Sequence, residues 1–393
     1  MKQDKSKVFN RSFILMHYFD YAATTPVSPA VAEAMVEALT VQFGNPSSQY
    51  PLGRAARDAV AAHRAVIAEA LGCDPEELFF TSCGTESDNW AIQAALYYGR
   101  HKGKHIITTA VEHSAVLETC KFLAQNGYEV TFLKPDRAGR ITADQVAQAL
   151  REDTVLVSVM TVNNETGNIY PIADIAKVLK ERKSAALLHT DAVQAFMKVP
   201  FSLTDCGADL ISLSAHKIGG PKGIGALYIR AALQSRIISL LHGGGQEKGL
   251  RSGTEATGQI AGFAKAVQLR QAELPAILEH TRAMQAYARE RLLSIPTMQI
   301  VGTPDAPHVL CLTLPGYPSQ NLVGELGSKD ICLSAGSACH KGKPSHVISA
   351  LKLGKKEAAG AFRVSFGPDT TKEEIDILYE ALLEHKNTRF PML

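Results

Sequence analysis

The chain has 393 residues, 46% hydrophobic and 20% charged, with a formal net charge of +2. That length exceeds one compact core and divides into two or three domains, while the small charge gives no reason to expect nucleic acid, a membrane surface or a polyanion as partner. Seven cysteines, Cys73, Cys83, Cys120, Cys206, Cys311, Cys332 and Cys339, occur without a CxxC pair. The odd count argues against a disulfide framework and a zinc site, so no metal is expected and a reducing cytoplasm is.

The apolar stretch Phe13–Met16 behind a lysine-rich start is too short for a signal peptide, and no run approaches membrane-spanning length. Met16-His-Tyr-Phe-Asp-Tyr21 reads as a plausible start, which makes residues 1–15 a disordered extension or the product of an upstream start. Apolar periodicity then predicts helices over Ala30–Leu39 and Ala55–Leu71. Strand Glu77–Thr81 runs into a turn and helix Glu86–Tyr98, followed by strand His105–Thr109 and helix Ser114–Gln125. Strand Glu129–Leu133, helix Ala143–Leu150, strand Val155–Thr161 and helix Ile172–Glu181 come next, and then strands Ala186–His189 and Asp209–Ser214. Such alternation implies an α/β fold whose mainly parallel sheet carries helices on both faces. After Gly243-Gly-Gly245 the texture changes. A long helical stretch, Gly262–Leu293, is interrupted or kinked at Pro275. Strands near Val309–Leu314 and Ile331–Ser334 and helices Val347–Leu351 and Lys372–Glu384 suggest a smaller α+β domain.

Ligands of parallel sheets gather at the carboxyl ends of strands, where Thr81, Asn164, Asp191 and Ser214 fall. Lys217 sits in Ser214-Ala-His-Lys217-Ile-Gly-Gly-Pro-Lys-Gly-Ile-Gly225, directly after an apolar run, and Asp191 follows another. An amine and a carboxylate at neighbouring strand ends are what pyridoxal phosphate (PLP) requires: a lysine to link covalently and an acid to keep the ring nitrogen protonated. Read alone, Lys217 is an ordinary surface lysine and Asp191 a helix cap; the glycines around the lysine favour close ligand approach. Lys222 is a rival amine, in turn-like surroundings. Gly84-Thr85 opens a helix after a strand, a position suited to a phosphate and equally to a capping box. His113, at the next helix start, suits ring stacking and proton transfer. Cys339, in Ser334-Ala-Gly-Ser-Ala-Cys339-His, adds a thiol, and the three groups together suggest chemistry on carbon–sulfur bonds.

With these motifs the chain resembles the cysteine desulfurases, in the class V aminotransferase group of fold-type I PLP enzymes. The resemblance is carried by Phe19-Asp-Tyr-Ala-Ala-Thr-Thr-Pro26, Phe43-Gly-Asn-Pro-Ser47, Thr85-Glu-Ser-Asp-Asn89, Val162-Asn-Asn-Glu165, Ser214-Ala-His-Lys217, Arg251-Ser-Gly-Thr254 and Arg363-Val-Ser-Phe-Gly367. It implies a mainly parallel seven-stranded sheet in a large PLP-binding domain, residues 16–260, whose first residues pack with a small C-terminal domain, residues 261–393, carrying the cysteine loop. It implies Lys217 as the PLP lysine and proton carrier, with Asp191 at the ring nitrogen, Gln194 at the ring oxygen and His113 stacked on the ring as acid/base. Gly84, Thr85, Ser214 and His216 would hold the phosphate, joined by Thr254 from a partner subunit. Asn164 and Arg363 would bind the substrate carboxylate, and Cys339 would take the sulfur of L-cysteine as a persulfide, releasing L-alanine.

An unperturbed thiol is only about 3% thiolate at pH 7, and the basic His340, Lys341 and Lys343 would raise that fraction. The implied partners are L-cysteine, sulfur-acceptor or scaffold proteins serving iron–sulfur assembly, tRNA thiolation or other sulfur incorporation, and a second copy of the chain. Two alternatives stay open: a cystine or selenocysteine lyase on the same fold, and a sulfur-relay subunit with little turnover of its own. The spacing from Cys339 to Pro344 is shorter than in desulfurases with a long mobile loop, and the chain ends thirty residues past Arg363, without the longer tail of those enzymes. Cys339 is therefore expected to be tightly tethered, so that the acceptor comes to it.

Overall fold

A computed structural model describes residues 16–336 and 344–392. The expectations for residues 1–15 and for Cys339 with its basic neighbours lie outside the described residues. Two compact units make up the chain: residues 24–164 with 168–276, and residues 1–23 with 165–167 and 277–393.

In chain order the elements are β1 (His17–Tyr18), α1 (Pro29–Thr40), α2 (Pro51–Leu71), β2 (Leu78–Thr81), α3 (Gly84–Gly99), β3 (His105–Thr109) and α4 (Ser114–Gln125). There follow β4 (Glu129–Leu133), α5 (Ala143–Ala149), β5 (Thr154–Ser158), α6 (Ile172–Glu181), β6 (Leu187–Asp191), α7 (Leu203–Cys206), β7 (Leu210–Ser214) and β8 (Gly225–Ile229). The long helix α8 (Thr257–Leu293) leads into β9 (Gln299–Ile300), β10 (Val309–Thr313), α9 (Ser319–Gly327) and β11 (Ile331–Cys332). The chain closes with α10 (His346–Ala350), α11 (Lys355–Ala359), β12 (Ala361–Ser365) and α12 (Lys372–Thr388).

Local chemistry sets many of these boundaries. Ser28 caps α1 by accepting from the Val31 N–H, with Pro29 pre-set at the first helical position. Thr142 with Gln145 and Thr371 with Glu374 form reciprocal capping boxes on α5 and α12. Pro275 falls inside α8 without ending it, and the boundary between the units falls two residues later, at Ile277.

The larger unit holds a seven-stranded sheet in the order β2-β8-β7-β6-β5-β3-β4. The β3–β4, β3–β5, β5–β6 and β6–β7 pairings are parallel, and β8 alone runs antiparallel, between β2 and β7. Because β2 and β7 both oppose β8, they point the same way, and every parallel strand delivers its carboxyl end to one edge. Strands β2, β5, β6 and β7 are buried at every residue, which their continuous apolar character anticipates for a sheet covered on both faces. The expected end of β5 at Thr161 is three residues late. Beyond Ser158 the backbone leaves ladder register, although the Thr161 N–H still donates to the Asp191 carbonyl at 2.9 Å. Helix α3 packs on the sheet through Trp90, Ala91, Ala94 and Ala95, all fully buried, and the Trp90 ring meets Phe79 edge-on at 5.8 Å. Phe79, Ile106, Leu156, Leu210 and Leu227 continue this core.

In the smaller unit, β12, β10 and β9 form an antiparallel sheet and β1 pairs in parallel with β11. Its core joins Phe19, Leu292, Leu310, Leu312, Phe362, Val364 and Leu378. Among the described residues no helix is long and apolar enough to cross a membrane.

Candidate active site

Lys217 closes a single 3-10 turn, Ala215–Lys217, directly after β7. The loop beyond it turns through Gly219 (φ +89°) and Gly223 (φ +84°), a region closed to most side chains. Thr25 ties this loop down: its hydroxyl donates to the His216 carbonyl at 2.8 Å and accepts from the Gly219 N–H at 2.7 Å, while its own N–H reaches the His216 carbonyl at 3.0 Å. The motif containing Thr25 was visible in the sequence; its grip on the lysine turn was not. His216 is pushed down to about 4, first by burial and then by Lys217, Lys222, Lys198 and His113, so its imidazole is neutral at pH 7.

Asp191 is the last residue of β6 and is buried. Burial raises its carboxyl, opposed by His113, by the Val193 N–H and by Lys217; the Val193 N–H donates to Oδ1 at 2.9 Å. Gln194 is buried as well, and Lys198 Nζ donates to its Oε1 at 2.7 Å. With its oxygen taken by Lys198, the amide nitrogen of Gln194 is the end suited to donate to a ligand. Lys198 is a member of the site that sequence reasoning missed.

The turn from β2 into α3 lies beside these groups. A Cβ on Gly84 would meet Val193 Cγ2 at 3.0 Å and Ser214 Cβ at 3.6 Å, which brings three loops to one point. Among the described residues the buried Ser214 hydroxyl has no hydrogen-bond partner, an arrangement that costs free energy unless a ligand completes it. Thr85 is exposed in the first turn of α3, and His216 is half-buried. A sixteen-residue helix start, an orphaned buried hydroxyl and a neutral histidine together suit a phosphate. With the Lys217 amine and the Asp191 carboxylate, these residues fit pyridoxal phosphate.

His113 is the N-cap of α4, where Nδ1 accepts from the Ala115 N–H at 3.2 Å. The His113 side chain is exposed. Its neighbour Glu112 is fully buried, accepting from the Thr109 hydroxyl at 2.7 Å and the Met160 N–H at 3.1 Å. Burial, only partly offset by these donors, pushes Glu112 up to about 8. Asp88, on α3, is a second buried acid: a carboxyl oxygen of Asp88, a carboxyl oxygen of Asp191 and a ring nitrogen of His113 all lie within 4.8 Å of one another. The sequence offered no sign that Asp88 and Glu112 are inside, since such residues sit on surfaces unless something requires otherwise.

The remaining expected residues lie as follows. Asn164 is half-buried in the segment after β5, and Thr254 is exposed three residues past Arg251, whose Nε pairs with Glu86 of α3 at 2.8 Å. Cys83 is half-buried at the N-cap of α3. Arg363 belongs to the smaller unit, in the middle of β12, where it is 4% exposed and donates to Asp20 at 2.6 Å. Cys339 lies outside the described residues. On the described side of that segment, the Ser345 hydroxyl donates to the buried Glu165 at 2.5 Å.

Residues 17–378 match the family model described as aminotransferase class-V. A cysteine desulfurase IscS of Methanosarcina thermophila is 42% identical over 371 residues, covering 93% of this chain and 91% of its own. A namesake from Vibrio atlanticus is 44% identical over 370 residues, covering 91% and 90%. Among solved structures, a NifS-like protein superposes with a TM-score of 0.89 at 35% identity, covering 95% of this chain and all of its own. SspA in complex with cysteine superposes at 0.78 with 37% identity, covering 90% and 99%.

Proposed function

Since the chain belongs to the class-V aminotransferase family, and within it is similar along most of its length to cysteine desulfurases, we propose that it converts L-cysteine to L-alanine and keeps the sulfur for transfer. The observation that carries this reading is the buried Asp191 carboxylate at the end of one strand, beside Lys217 after the next.

In this reading Lys217 holds the cofactor covalently, Asp191 faces its ring nitrogen, Gln194 its ring oxygen, and His113 covers a ring face. Gly84, Thr85, Ser214 and His216 receive the phosphate. Bound there, pyridoxal phosphate supplies an electron sink that lets the α-proton leave and loosens the Cβ–S bond. The Lys217 amine takes that proton and later returns one. Asn164 and Arg363 are the residues we assign to the substrate carboxylate. The Cys339 thiolate attacks the substrate sulfur: an S–S bond forms, the Cβ–S bond breaks, and its electron pair stays on the carbon side until a proton completes alanine. No outside oxidant is needed, because the sulfane sulfur carries the oxidation equivalent that Cβ loses.

We further read the working unit as a homodimer in which Thr254 of a second copy completes each phosphate site. Its sulfur would pass to cytoplasmic acceptor or scaffold proteins. Borohydride reduction of PLP-loaded protein followed by peptide mapping tests the assignment. The expected product is a pyridoxyl group on Lys217, with alanine as the organic product from L-cysteine. A label on Lys222, or pyruvate and ammonia in place of alanine, would contradict it.

A further inference from the structure

Asp88 plays no part in that reaction scheme, yet it is among the most costly side chains in the chain to bury. It is 1% exposed, and its Oδ1 has no hydrogen-bond partner among the described residues. The Ser212 hydroxyl hydrogen-bonds to the same carboxyl. Ser212 Oγ also lies 3.0 Å from His189 Nε2, and His189 Nδ1 lies 2.8 Å from Ser158 Oγ. A line of polar groups thus crosses β5, β6 and β7 inside the larger unit and ends at Asp88. His189 Nε2 is 3.6 Å from Asp88 Oδ1, too long for a hydrogen bond. Burial also holds that imidazole down to about 3, so it brings no charge.

The groups facing Asp88 are therefore Asp191, Glu112 and Cys83, none of them cationic, together with neutral His189 and, across the 4.8 Å cluster, His113. Asp191 is better compensated, by His113, Lys217 and the Val193 N–H. Two carboxylates this close and this dry do not both ionise, and the proton settles on the member with fewer cations. We infer that Asp88 and Asp191 act as one acid pair holding a single proton, carried by Asp88, and that Asp88 is thereby a positioning residue that acts through Asp191, letting it stay charged for the cofactor's ring nitrogen. Burial and the mutual repulsion of the two acids raise Asp88 well above the ordinary carboxylate range. The inference rests on the PLP reading of the site.

The test is the dissociation constant for PLP, added back to apoprotein, as a function of pH in wild type, Asp88→Asn and Asp88→Ala. Asparagine reproduces the protonated acid: it is neutral and keeps a donor. Alanine is neutral as well and carries no donor. The acid limb of PLP affinity should keep its midpoint within about half a pH unit in both variants, because each is neutral at position 88 as the protonated acid is. A midpoint that falls by about a unit in Asp88→Asn is the sign of removing a negative charge, and it overturns the inference. So does the same fall in Asp88→Ala. If neither variant folds, infrared spectra of PLP-loaded Glu112→Gln decide, since that variant removes the other fully buried acid and the proton held by the pair should still give the C=O stretch of a buried protonated acid at neutral pH. Absence of the band overturns the pair. Wild type that binds no PLP overturns the functional reading as well; wild type that binds PLP while the variants behave otherwise overturns this inference alone.

Discussion

The Arg363 guanidinium donates to the Asp20 carboxylate at 2.6 Å, joining the middle of β12 to the turn after β1 across 343 positions of sequence. An arginine steadied on one nitrogen by a carboxylate keeps its planar fork oriented for a second one, which a flexible lysine cannot do. Arg363→Lys should raise KM for L-cysteine about tenfold or more, the loss expected for a charge-assisted contact, and leave the PLP absorbance unchanged. Asp20→Asn should act in the same direction and more weakly. Steady-state kinetics showing wild-type KM in Arg363→Lys would remove the arginine from the substrate site.

Glu112 carries a pH signature. Its folded pKa, about 8, is raised from the ordinary 4.5 by burial. Between those values the folded chain keeps a proton that the unfolded chain has released, so this group's contribution falls as pH rises through the window. Glutamine mimics the protonated acid. Glu112→Gln should therefore match wild type near pH 4.5 and exceed it at pH 8, on the order of 4 kcal/mol if the full shift is realised. Calorimetric unfolding of the apoprotein at pH 5 and pH 8 checks this: the fall in unfolding temperature between them should shrink in the variant. An unchanged fall would mean that Glu112 is ionised in the folded protein.

Thr25 offers a test of the lysine turn. Thr25→Val keeps the shape but leaves the Gly219 N–H and the His216 carbonyl each without the hydroxyl that meets it. The cost should be about 1–3 kcal/mol, read as a lower unfolding temperature, together with slower and weaker PLP loading. A variant that loads PLP like wild type would show that the turn holds itself.

Much of this arrangement was legible in the sequence because it depends on short-range pattern. Continuous apolar runs ending in Asp191 and Ser214 announced buried parallel strands, and their carboxyl ends announced the site. Strand β8 went unread because Gly225 completes the glycine-rich turn and hides the strand start; only the sheet shows that a Cβ there would press on the Leu213 carbonyl at 2.7 Å. Strand β12 shows in the sequence as a motif but not as a strand, since Arg363 breaks its apolar character and the partner that excuses it, Asp20, is at the other end of the chain. Helix α9 contains Gly324 and Gly327, which weaken its helical signal. Asp88, Glu112 and Lys198 were missed for a common reason. Charged side chains read as surface until tertiary packing brings in the groups that surround them.

The central claim is that sulfur leaves L-cysteine by transfer to Cys339 while the carbon skeleton leaves as alanine. Mass spectrometry after a single turnover, with PLP-loaded protein in excess over L-cysteine and no acceptor or reductant, tests it directly. The account predicts alanine and one additional sulfur on the Cys339 peptide in equal amounts, with neither formed by Cys339→Ser although its PLP absorbance is intact. Alanine formed by Cys339→Ser at the wild-type rate, or an unmodified Cys339 peptide in the wild type beside free sulfide, would contradict it.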